Sequence, residues 1–131
     1  MTTITTWKSD LIFDSHQDEI GSVLMDGDRE VAMSPKALLL SGLAGCSGID
    51  VVEILKKMRV EFSDLQIICE ADQTEETPKV FKDILLTFAI KIDPADTDKV
   101  IKAIDLSMEK YCGVAAMLRK NSNISYKLKV I

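Results

Sequence analysis

Three cysteines and one histidine are the residues of this chain whose types could do chemistry. Cys46, Cys69 and Cys112 lie far apart with no Cys-x-x-Cys spacing, and an odd, sparse set does not read as a disulfide framework. No cysteine lies within a few residues of His16, so neither a metal site of the usual Cys/His kind nor a cofactor is expected. A Ser-His-Asp or Cys-His mechanism would have to run through His16, which falls in the polar, turn-like stretch DSHQDE and reads as a surface histidine. Thiol chemistry remains. Cys46 lies in Gly45-Cys46-Ser47-Gly48, flanked by the residues least able to shield it, although Asp50 one turn later would raise a thiol pKa. Cys112 follows Tyr111 at a break before Gly113. If it starts the next helix, its sulfur meets the aligned amides that favour a thiolate. Cys69 alternates with Leu65 and Ile67 and reads as core filling. Cys46 and Cys112, on two apolar helices, form a redox pair if packing brings them together.

The elements that must position them follow from the pattern. Ile4 to Phe13 reads as one or two strands, Asp14 to Glu19 as a turn and Ile20 to Met25 as a further strand before the turn Asp26-Gly27-Asp28. Ser34 and Pro35 suit the cap and first position of a helix that runs to Lys57 or Met58. Its apolar residues occupy most of the circumference down to Val52, more than one small sheet can cover, so a second copy of the chain is expected on the other face. Gly42, Gly45 and Gly48 each cost a helix about 1 kcal/mol relative to alanine, which points to close backbone approach or a distortion. Glu53, two turns past Cys46 near the same face, is within reach of a polar contact with it.

Phe62 to Asp72 and Val80 to Ile92 read as a hairpin around the polar turn QTEETPK. After Asp93-Pro94 a second helix, capped by Asp96 or Thr97, runs through Met108. Val114 to Arg119 is helical, and Ile124 to Ile131 is the last strand. The order βββ-α-ββ-α-β is an α+β architecture in a single domain, 1–131.

Composition narrows the class. With 131 residues, 47% of them hydrophobic and 28% charged, the chain has ordinary globular content. A net charge of −5 argues against a nucleic-acid partner, which needs a basic face. No apolar run approaches the roughly 20 residues of a membrane span, and the start has no basic or apolar leader pattern, so no membrane partner and a cytoplasmic location are expected.

The stretches SPKALLLSGLAGCSGIDVVEILKK (Ser34 to Lys57) and LSMEKYCGVAAML (Leu106 to Leu118) resemble the two cysteine regions of the OsmC/Ohr family of thiol peroxidases. The stretch from His16 to Gly27 is similar, more loosely, to its less characterised OsmC-like subgroup. The resemblance implies an intertwined homodimer, with two long central helices against antiparallel sheets and two sites at the interface. Cys46 is then the peroxidatic cysteine for an organic hydroperoxide and Cys112 the resolving one, with a small dithiol or lipoyl group as reductant. The family's thiolate-stabilising arginine would be Arg29, the only arginine before the helix, while the position of the glutamate that holds it is Lys36. Two other readings stay open: a module holding an apolar or fatty-acyl ligand at the dimer interface, and a thiol redox switch without turnover.

Overall fold

Asp10 and Leu11, between two runs of strand formers, fold the start of the chain back on itself, with Asp10 taking a left-handed φ of 44°. The computed structural model describes residues 1–131 and resolves two units, 1–39 and 40–131. In the first unit, β1 (Ile4–Ser9), β2 (Ile12–His16) and β3 (Ser22–Asp26) form an antiparallel meander, with Trp7 opposite Phe13 and Phe13 opposite Met25. Strand β2 continues through His16, so the expected turn over 14–19 starts later. Asp14 and Ser15 pair in the ladder with Leu24 and Val23 of β3. Cross-strand pairing there outweighs the polar composition of the stretch.

Helix α1 (Pro35–Lys57) starts where the sequence predicts: Ser34 Oγ accepts a hydrogen bond from the Ala37 N–H at 3.2 Å, and Pro35 takes the first helical position. Leu43, Ser47, Val51 and Leu55, four residues apart, are its fully buried stripe, while Leu39 and Ile49 are exposed. By length and composition this helix could cross a membrane, contrary to the expectation that no stretch could. Counting apolar residues missed it because its glycines, serines and alanines lower the count while adding little polarity. Here it serves as a core helix, packed through that stripe with Ile84, Leu86, Phe88 and Ile90.

In the second unit, β4 (Phe62–Gln73) and β5 (Phe81–Ile92) form the expected antiparallel hairpin, with Cys69 opposite Leu86. Gly48 lies against this sheet, where a Cβ would stand 2.9 Å from the side-chain end Ile67 Cδ1; at Gly42 and Gly45 nothing lies within 4 Å, so the close backbone approach expected of the three glycines is not seen within the chain. Strand β6 (Asn123–Val130) lies on the far side of β5 and runs parallel to it. The second sheet is therefore mixed and not antiparallel throughout. The chain leaves one end of β5, crosses over through helices and re-enters at the other end, which makes the pair parallel.

The crossover breaks before α3, at Cys112, as the sequence suggests. It comprises a 3-10 turn (Pro94–Asp96), α2 (Thr97–Leu106), a π turn (Ser107–Tyr111) and α3 (Gly113–Arg119). Asp96 holds the cap position of α2 as expected, but its carboxylate meets Lys99 and makes no capping bond. The 3-10 turn ahead of it, begun by Pro94, has its own cap in Asp93, which accepts from the Ala95 N–H at 2.9 Å.

Candidate redox site

The π turn sets the geometry of the second unit's two helical cysteines. The Cys112 N–H reaches back five residues to the Ser107 carbonyl at 2.8 Å, so the chain is underwound before Cys112 leaves the helix with φ −74° and ψ 104°. Cys112 then caps α3, its Sγ accepting from the Ala115 N–H at 3.4 Å. Cys112 is buried, 3% exposed, and its thiol is close enough to Cys46, half-buried in the middle of α1, for the two to interact electrostatically. All three cysteines are free thiols.

Around this pair lies a buried polar network. Ser47 and Ser107 are both fully buried. Ser107 Oγ donates to Asp50 Oδ2 at 2.8 Å and lies 3.1 Å from Ser47 Oγ. Ser47 Oγ in turn points its proton at Met108 Sδ, 3.5 Å away. The carboxylate is the strongest acceptor in the group and takes the Ser107 proton. Arg119 braces the same turn from the far side, its guanidinium donating to the Met108 carbonyl.

The electrostatics of Cys112 reverse the expectation drawn from its helix start. The Ala115 amide does favour the thiolate, but burial, the adjacent Cys46 and the Asp50 charge outweigh it and push the thiol up to about 11. Cys69 sits on the core face of β4, where burial pushes its thiol up as well; it packs as the alternation predicts.

The remaining candidates each have their own local setting. Arg29 belongs to the first unit, exposed, with φ 58°, in the turn that follows β3. Asp26 shapes that turn: its carboxylate accepts from the backbone N–H groups of Asp28 at 2.9 Å and of Glu30 and Val31 at 3.0 Å. Those amides hold the Asp26 carboxyl below its usual range, Val31 contributing most. His16 ends β2 with Nδ1 2.9 Å from the Asp18 carbonyl oxygen. Lys36 is exposed in the first turn of α1. Glu53 is exposed and lines two grooves. One, apolar and of about 470 Å³, runs past Ala44, Gly45, Gly48, Ile49 and Ile67; the other, of about 400 Å³, opens onto Asp50, Lys57 and Tyr111. No three His, Cys, Asp or Glu side chains converge as a metal site.

Sequence reasoning singled out both cysteines and missed the two serines. The signal was present, since Ser47 lies between Leu43 and Val51, and Ser107 after Ala103, at the four-residue spacing of an apolar stripe, where a buried hydroxyl must find a partner.

Known proteins resemble the chain over most of its length. The family model described as OsmC-like protein matches residues 26–127. Protein YhfA of Escherichia coli K12 is 37% identical over 126 residues, covering 95% of this chain and 94% of its own. A solved structure from Aquifex aeolicus VF5 is 30% identical with a TM-score of 0.87, covering 99% of this chain and 95% of that one. The organic hydroperoxide resistance protein OhrB of Bacillus subtilis shares the fold, with a TM-score of 0.66 at 18% identity and 98% of each chain covered.

Proposed function

The chain belongs to the OsmC-like family, and from that membership we propose that it is a thiol peroxidase of organic hydroperoxides acting through Cys46 and Cys112. The observation that supports this reading is that the two thiols, 66 positions apart in the chain, neighbour one another closely enough to interact electrostatically. The Cys46 thiolate attacks the distal oxygen of the hydroperoxide. An S–O bond forms, the O–O bond breaks, and the alkoxide takes a proton from water to leave as an alcohol. The Cys112 sulfur then attacks the Cys46 sulfenic acid: the S–S bond forms, and hydroxide leaves with the Cys112 proton as water. A small dithiol or lipoyl group reduces the disulfide by two exchanges, itself becoming the cyclic disulfide. Arg29 supplies the positive charge that stabilises the thiolate and the developing negative oxygen.

The working form is a homodimer in the cytoplasm. Exposed Leu39 and Ile49 on α1, and the open apolar groove beside Gly45, support a second copy on that face. The test is consumption of cumene hydroperoxide with dithiothreitol as reductant, with Cys46→Ser and Cys112→Ser alongside. The same groove favours a second reading, an apolar or fatty-acyl ligand held without turnover. Mass spectrometry of organic extracts from the purified protein separates the two.

A further inference from the structure

A chain of hydrogen bonds runs from the helix that carries Cys46 to Cys112. Asp50 lies one helical turn after Cys46 on α1, and its carboxylate accepts from Ser107 Oγ at 2.8 Å. Ser107 also offers its carbonyl to the Cys112 N–H at 2.8 Å, so one buried residue ties α1 through its side chain and Cys112 through its backbone. The Cys112 thiol at the end of this chain neighbours Cys46. Ordinary α-helical bonding would send that N–H to the residue four back; the π register selects Ser107, the residue that Asp50 holds.

We propose that Asp50 is a positioning residue for the cysteine pair, holding the π turn through Ser107 so that Cys112 is presented to Cys46. This rests on the reading of the two cysteines as partners and adds to it the residue that aligns them. The groups facing the Cys112 thiol are Cys46 and Asp50 from α1 and the Ala115 N–H from α3. Asp50 thus has two separable effects: its oxygen holds the turn, and its charge holds back ionisation of Cys112. An amide in its place keeps the acceptor and removes the charge.

The experiment equilibrates the full chain with mixtures of reduced and oxidised dithiothreitol, traps thiols with N-ethylmaleimide and measures the Cys46–Cys112 disulfide by peptide mass. Thermal melting reports folding of each variant. In Asp50→Ala and in Ser107→Ala the equilibrium constant for the disulfide falls about tenfold, equivalent to about 30 mV for this two-electron couple. The double variant falls no further than either single one, because both break the same chain of bonds. Asp50→Asn stays within about threefold of wild type while Cys112 alkylates at lower pH. A folded Asp50→Ala with an unchanged equilibrium overturns the proposal. Should Asp50→Ala not fold, Asp50→Asn decides: retention within threefold supports the proposal, and a tenfold loss overturns it. A wild type that forms the disulfide here but consumes no cumene hydroperoxide defeats the peroxidase alone, and the variants still decide the role of Asp50. A wild type that forms no disulfide overturns both.

Discussion

The Cys112 N–H donates to the Ser107 carbonyl at 2.8 Å, and this five-residue closure places Cys112 at the start of α3 with its thiol beside Cys46. Continuing α2 in α register would turn the following residues by about 100° each and carry the cysteine around the helix. The juxtaposition of the two thiols therefore depends on a backbone irregularity as much as on the two sulfurs.

Cys112 is expected to alkylate late on a pH scale. Its thiol, pushed up to about 11 by burial and by Cys46 and Asp50, stays protonated at neutral pH, so iodoacetamide labels it slowly until the pH approaches that value. Because the unfolded thiol ionises nearer 9, the folded protein also loses stability from this group as pH rises between the two values. Replacing Cys46 by alanine removes a raising neighbour and moves the labelling midpoint down. Peptide-resolved alkylation against pH measures this and separates Cys112 from Cys69.

Acid should loosen the turn that carries Arg29. The Asp26 carboxyl lies below its ordinary 3.8 because backbone amides, Val31 foremost, bind its charged form. Its contribution is fully present above 3.8 and is lost as pH falls through the depressed folded value. Asp26→Asn is expected to flatten the acid end of the stability curve while changing little near neutrality in slope. Urea unfolding followed at a series of pH values checks it.

Arg29→Ala is expected to lower kcat/KM for cumene hydroperoxide by about a hundredfold, the scale on which removal of one electrostatic stabiliser acts. The Cys46–Cys112 equilibrium with dithiothreitol is expected to stay unchanged, because Arg29 lies outside the hydrogen-bonded chain of Asp50, Ser107 and Cys112. Steady-state kinetics beside the redox titration measure both.

Gly45→Ala separates one chain from two. Nothing lies within 4 Å of where its Cβ would stand, so within a single chain alanine should stabilise the helix by about 1 kcal/mol. With a second copy packed on that face, the methyl group instead weakens association by about tenfold. Sedimentation across a dilution series reads the difference, with a melting curve as the companion measurement.

The legible parts of the fold were those written in local pattern. Ser34 and Pro35 announced α1, and the alternation through Leu65, Ile67 and Cys69 announced β4. The illegible parts depended on partners distant in sequence. The parallel placement of β6 on β5 follows from the route of the crossover, which no strand pattern records. The role of Asp50 depended on Ser107, 57 residues away, and the shift of Cys112 depended on burial that outweighs its own helix start. His16 looked like a turn residue until β3 paired with its strand.

The central claim, that Cys46 and Cys112 form the working pair of a peroxidase, is tested most directly by dithiothreitol-dependent consumption of cumene hydroperoxide. Steady turnover by the wild type, abolished in Cys46→Ser and cut sharply in Cys112→Ser, is the predicted result. Turnover that survives Cys46→Ser, or a wild type with none, would contradict it.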